Sequence, residues 1–315
     1  MDAIGGYFEL ELPLHEEYHK GAIKLNTGRN CLEYILRCRH YKKVYIPYFT
    51  CEVILEPFKK LGIQYQFYQI NSDFEIADEI CLQKDESLLY TNYFGLKQSY
   101  VYKLVEIYNT NLIVDNSQAF FDKPMTGIDT FYTCRKFFGV PDGAYLYTEC
   151  EVDFEIKQGV SYQRCDSLLK RTDLSAEEGY EDFVMAEEDL SDTEIMYMSK
   201  LTDRLMHSID YIKVANIRRE NYKHLSAHLS KTNLINLDLA EETVPMVYPY
   251  MCNKDNLRTE LINNRIFIAT YWANVKKWAP ENSIERTLEK SLLPLPVDQR
   301  YGINQMNHIL NNILK

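Results

Sequence analysis

Two residues in this sequence pair a reactive side chain with a setting that could tune it. Asp115 closes the run Asn111-Leu112-Ile113-Val114-Asp115, whose three apolar residues read as a short buried strand. The carboxyl end of a strand in an open α/β sheet is where ligands bind. A carboxylate there is costly to bury unless it meets a positive partner. Lys136 lies 21 residues further on (136 − 115), between two strand-like segments and next to Phe137 and Phe138. Apolar surroundings disfavour an ammonium, and a lysine held neutral can form a Schiff base with an aldehyde. Each residue also has a plainer reading. Asp115 would make a good N-cap for a following helix, and the stem of Lys136 could cover apolar surface with its charge in water.

Bringing two such groups together requires strand ends at a common edge, and the first half of the chain is patterned for that. Asn30–Tyr41 reads as an amphipathic helix after a Thr27-Gly28 turn, and Lys43–Phe49 as a buried strand. Cys51–Gly62 reads as a helix with Gly62 as its C-cap. Ile63–Ile70 and Ser87–Gly95 are strand-like, Ser99–Asn109 is helical, and Asn111–Ser117, Thr126–Cys134 and Gly143–Thr148 complete the strands. Strand–helix alternation of this kind predicts an α/β domain with a mainly parallel sheet. Residues 166–195 are charged and weakly periodic, and read as loops and short helices. Residues 196–230 give one long helical pattern able to join two lobes. The last hundred residues read as a small α+β unit: a strand at Thr243–Cys252, a helix at Asn256–Ile266 and a closing helix at Met306–Lys315. The expected division is a large α/β domain over 1–205, whose N-terminal segment packs on the small domain, and a small domain over 206–315.

Taken together, Val114-Asp115-Asn116-Ser117-Gln118-Ala119-Phe120 and Thr133-Cys134-Arg135-Lys136-Phe137-Phe138-Gly139-Val140-Pro141-Asp142-Gly143-Ala144 resemble the DegT/DnrJ/EryC1/StrS sugar aminotransferases. These are pyridoxal-phosphate enzymes of fold type I, in which an Asp-x-x-Gln strand segment precedes the Schiff-base lysine at this spacing and a Gly-rich turn follows. Other segments fit in the same order. Asn26-Thr27-Gly28-Arg29-Asn30 resembles the turn before the first helix, where free backbone N–H groups suit a phosphate. Ile46-Pro47-Tyr48-Phe49-Thr50, Tyr90-Thr91-Asn92-Tyr93-Phe94-Gly95 and Leu295-Pro296-Val297-Asp298-Gln299-Arg300-Tyr301 resemble three further family segments.

The resemblance implies a mainly parallel, seven-stranded type of sheet with a smaller C-terminal domain. It implies Lys136 as the Schiff-base lysine, Asp115 as partner of the pyridine nitrogen, and Gln118 on a ring substituent or bracing Asp115. It places Thr27, Gly28, Arg29 and Asn30 at the phosphate and Asn92 or Tyr93 stacked on the ring. It also implies pyridoxal 5'-phosphate as cofactor, an amino donor such as glutamate, a nucleotide-linked keto-sugar as acceptor, and a homodimer with the site at its interface. Several positions depart from the pattern. The family's phosphate Ser, five residues before the lysine, is Phe131 here, with Thr133 as the replacement candidate; Arg29 stands in place of a Thr; and no Asn-x-Arg segment occurs near Met198-Ser199-Lys200. These departures leave room for a relative that keeps the fold for binding or assembly. A sugar dehydratase of the same fold would carry His where Lys136 stands.

Composition narrows the classes further. With 315 residues, 46% hydrophobic and 26% charged, the chain is an ordinary globular protein rich in tyrosine, 25 in all. A net charge of −11 argues against gripping nucleic acid. No apolar run reaches the ~18 residues of a membrane span. The N-terminus lacks the basic and apolar regions of a signal peptide, so a cytoplasmic location is expected. The eight cysteines (31, 38, 51, 81, 134, 150, 165 and 252) show no CxxC or zinc-ligand spacing, which predicts free thiols in a reducing compartment and no metal. Neither GxGxxG nor GxxxxGK[ST] occurs, which ranks a plain nucleotide-binding protein low.

Overall fold

A computed structural model describes residues 4–314; Met1–Ala3 of the N-terminal segment and Lys315 of the expected closing helix lie outside the described residues. Strand β1 (Ile23–Leu25) leads into helix α1 (Gly28–Arg39) through Thr27, an extended residue whose hydroxyl accepts the N–H of Asn30 as an N-cap. Strand β2 (Lys43–Pro47) is followed by a 3-10 turn (Glu52–Leu55) and α2 (Glu56–Leu61), which ends at Gly62 in the left-handed region, φ 66°. That is the C-cap expected there. Then come β3 (Gln64–Tyr68), β4 (Glu86–Thr91), α3 (Gln98–Tyr108), β5 (Leu112–Asp115), β6 (Asp129–Thr133), β7 (Ala144–Tyr147) and the short β8 (Lys157–Gln158). Two helices, α4 (Asp166–Asp173) and α5 (Tyr180–Glu188), pack on each other before β9 (Met196–Tyr197), α6 (Lys200–Met206) and α7 (Tyr211–Leu229). The chain closes with β10 (Val247–Tyr250), α8 (Leu257–Asn263), α9 (Val275–Trp278), α10 (Ile284–Ser291), β11 (Leu293–Pro296) and α11 (Ile303–Ile313).

The main sheet has the order β3-β2-β4-β5-β6-β7-β1-β9-β8. Pairs β3/β2, β2/β4, β4/β5 and β5/β6 are parallel, while β7 runs antiparallel between β6 and β1. Strands β1 to β6 therefore all point the same way, and their carboxyl ends share one edge. The amino end of β7 lies there too, because Ala144 pairs with both Thr133 and Leu25. The mainly parallel sheet was expected, but it has nine strands instead of seven. The extra two, β8 and β9, are two-residue pieces beyond β1, too short to leave a periodicity.

Alternate residues of the central strands feed two cores. Leu89, Ile113 and Phe131 face α1 and α2, while Leu88, Tyr90, Val114 and Tyr132 face α3 and α7. The second core continues into the antiparallel β10/β11 pair and α8, α10 and α11, the α+β unit expected at the C-terminus. The single long helix expected over 196–230 is instead β9, α6 and α7. Helix α6 ends at His207, and Asp210 caps a fresh helix by accepting the N–H of Lys213. One further expectation is corrected: Cys38 and Cys150 form a disulfide, Cα–Cα 6.0 Å, while the other six cysteines are free. The pair is 112 residues apart and meets only because α1 packs on β7. No helix among the described residues is long and apolar enough to cross a membrane.

Candidate active site

Asp115 is the last residue of β5 and pairs with Phe131 on β6; Asn116 N–H donates to the Phe131 carbonyl, 2.8 Å. Lys136 lies in the turn that closes β6, where the N–H groups of Phe137 and Phe138 both donate to the Cys134 carbonyl. The two sequence-predicted groups therefore sit at the carboxyl ends of adjacent parallel strands. Asp115 is buried. Its Oδ1 accepts the Ser117 N–H at 2.8 Å, and its Oδ2 accepts the Thr91 hydroxyl at 3.4 Å, which leaves one oxygen lightly held.

The apolar jacket expected around Lys136 is absent. Its side chain is exposed, while Phe137 and Phe138 turn inward against Phe120 and Phe121. In a tight turn neighbouring side chains diverge, so apolar neighbours in sequence do not surround the amine. Beside Nζ is the Trp272 ring, 5.8 Å away, within reach of a cation–π contact. Trp272 packs edge-on against Phe49, and Asn274 ties its segment down by donating to the Thr50 carbonyl, 2.8 Å. A residue of the C-terminal unit thus stands beside the candidate amine, which no motif in the sequence foretold.

Gln118 is fully buried. Its Oε1 accepts the Phe94 N–H at 2.8 Å, while Nε2 has no partner. An unpaired buried amide is costly, and one at a sheet edge asks for an acceptor from outside the chain. Asn92 and Tyr93, expected to stack on a ring, are engaged within the protein. Asn92 donates to Asp122 (2.7 Å) and Gln98 (3.0 Å) and accepts from the Lys97 N–H, while the buried Tyr93 donates to the Phe49 carbonyl, 2.8 Å. Burial pushes the Asp122 carboxyl up to about 7, against the opposing bond from Asn92.

At the start of α1, the Thr27 hydroxyl is used by the cap, Asn30 donates to the Thr193 carbonyl, and Arg29 pairs with Glu56 at 2.7 Å. What remains is backbone. The N–H groups of Gly28 and Arg29 have no partner among the described residues, the open positive end of a helix dipole. A Cβ on Gly28 would lie 3.7 Å from both the Phe131 ring and the Ser117 Oγ. Ser117 is thus a hydroxyl at the anion end that sequence reasoning missed; the available signal was its place two residues after Asp115. Thr133 ends β6, half-buried, beside Ala144.

No family model matches the sequence, and no curated protein does. Solved structures do match in fold. DesI, determined in the presence of its TDP-sugar product, aligns over 93% of this chain and 79% of its own, with TM-score 0.65 and 13% identity. The PLP form of a sugar aminotransferase, Spr1654 from Streptococcus pneumoniae, aligns over 92% and 85%, with TM-score 0.64 and 13% identity. A DegT DnrJ EryC1 StrS aminotransferase from Brucella abortus aligns over 93% and 85%, with TM-score 0.60 and 13% identity. The chain shares the fold of these aminotransferases.

Proposed function

We propose that this chain is a pyridoxal 5'-phosphate-dependent aminotransferase that moves an amino group from an amino acid, such as glutamate, to a keto acceptor of the nucleotide-linked sugar class. One observation carries the reading: a buried carboxylate, a primary amine, an unpaired amide donor and an open helix N-terminus gather at the carboxyl edge of one parallel sheet. The shared fold supports it, as do neighbours solved with PLP or with a TDP-sugar.

The residues fit such a cofactor. Asp115 would keep a proton on the pyridine nitrogen, Gln118 Nε2 would donate to a ring oxygen, and Lys136 would bond to the aldehyde carbon. The Gly28 and Arg29 N–H groups with the Ser117 hydroxyl would take the phosphate, with the half-buried Thr133 at the end of β6 as a further hydroxyl for it. When bound, the group supplies an electron sink for charge at the donor's α-carbon. Lys136, exposed beside Trp272, has the freedom to take the proton from that carbon and return it. A homodimer completing the phosphate end, a boundary near residue 205 and a cytoplasmic location belong to the same reading.

A second reading keeps the fold for binding or assembly without chemistry; the exposed amine and Phe131 at the phosphate side favour it. Titrating the purified protein with pyridoxal phosphate separates the two. Under the enzyme reading a visible lysine–cofactor band appears, Lys136→Ala abolishes it, and glutamate bleaches it. Colourless protein that binds no cofactor would establish the second reading instead.

A further inference from the structure

We propose that Arg218 and Gln299 form a clamp that fixes the Lys136 turn, making both positioning residues for the chemistry above, on whose reading this inference rests. Arg218, on α7, is 1% exposed and is the bulkiest fully buried side chain in the molecule's described part. A buried guanidinium must place its donors. Nε donates to Gln299 Oε1 (2.9 Å), Nη1 to the carbonyls of Pro245 (3.2 Å) and Met246 (3.0 Å), and Nη2 to the carbonyl of Phe137 (3.3 Å). Its carbon lies 4.5 Å from the centre of the Phe137 ring. Gln299 Nε2 donates to the same Phe137 carbonyl, 2.7 Å. The residue directly after Lys136 is therefore held twice, both times by side chains from beyond the main sheet.

The same guanidinium reaches the other wall. Met246, whose carbonyl it binds, donates its N–H to Phe94 (2.8 Å), and the Phe94 N–H holds Gln118 Oε1 (2.8 Å). One side chain thus braces both the amine's turn and the strand end carrying the unpaired amide. A filler role would be served as well by an apolar side chain, which carries no desolvation cost. The guanidinium instead ties two backbone segments that flank the site, to whose spacing the placement of reacting groups is sensitive. Seating of the C-terminal unit on the sheet is thereby coupled to the position of Lys136.

Gln299→Glu tests this. Glu keeps an acceptor for Arg218 Nε and adds a countercharge, but it replaces the donor on the Phe137 carbonyl with an oxygen that repels it. The expected result is a folded protein, its melting temperature lowered a little by the lost bond, with cofactor affinity per folded molecule, read from the lysine–cofactor band, about tenfold weaker and slower band formation. Arg218→Lys, whose single ammonium cannot reach four acceptors, should shift the band the same way; if it fails to fold, Gln299→Glu decides. Wild-type affinity and rate in Gln299→Glu would overturn the clamp while leaving the enzyme reading intact. So would a band lost only in proportion to unfolded protein. A wild type that forms no band overturns both.

Discussion

Asp115 has two hydrogen bonds, one firm and one long, and among the described residues no ion pair within 4.0 Å. Such a carboxylate is poised to take a charged partner from outside, and its value in the proposed role is electrostatic. Asp115→Asn retains the shape and an oxygen for the Ser117 N–H but removes the charge. The lysine–cofactor band should survive, while the rate at which glutamate bleaches it falls about 10²-fold, the size of a lost preorganised electrostatic contact. An unchanged bleaching rate would remove Asp115 from its role. At this scale the sequence was legible where a residue's position along a strand decides its place: Asp115 and Gln118 could be assigned to a sheet edge. It was not legible where long-range contacts decide. Asn92 gives its amide to Asp122, thirty residues away, and Trp272 reaches Lys136 across 136 residues.

Among elements, the turn into β7 shows how a local signal hides a distant duty. Pro141-Asp142-Gly143-Ala144 reads as a turn from its residues alone, and Gly143 does adopt φ 108°, where only glycine sits easily. The structure adds that Asp142 is fully buried and accepts from the Ser199 hydroxyl and N–H and from the Thr202 hydroxyl, so the turn braces Ser199, the N-cap of α6. A Cβ on Gly143 would come within 2.8 Å of Thr202 Cγ2 and 3.1 Å of Cys134 Sγ, in the turn that carries Lys136. Gly143→Ala should therefore destabilise by about 2–4 kcal/mol, strain and overpacking together. A urea midpoint within error of wild type would refute that. The strands and helices of the first half were readable because buried strands are continuous apolar runs. The α6/α7 break was not, since the helical period runs through it and only the Asp210 cap marks the restart.

For the molecule as a whole, two buried titratable groups set opposing dependences of stability on pH. His19, in the N-terminal segment, lies among Phe120, Tyr132 and Tyr145 and donates through Nε2 to the Phe120 carbonyl, 2.8 Å. Burial pulls its pKa from 6.5 to about 3, partly offset by that bond. Asp122 is pushed from 3.8 to about 7 by burial. Between about 3 and 6.5 the unfolded chain binds the proton that folded His19 refuses, so this group's contribution rises with pH. Between 3.8 and about 7 folded Asp122 holds a proton the unfolded chain has lost, so its contribution falls with pH. In the shared window, from about 4 to 6.5, the two slopes cancel in the wild type, and each variant exposes the other. His19→Gln, which keeps a donor for Phe120, should leave stability falling with pH by about 1.4 kcal/mol per unit. Asp122→Asn, which keeps an acceptor for Asn92, should leave it rising by about the same amount. Urea unfolding of both variants between pH 4.5 and 6.5 measures this directly. Parallel curves for the two would mean that neither group is buried as the fold places it, and with them would go the packing of the N-terminal segment and of the Asn92 strand end against the sheet edge that carries the site.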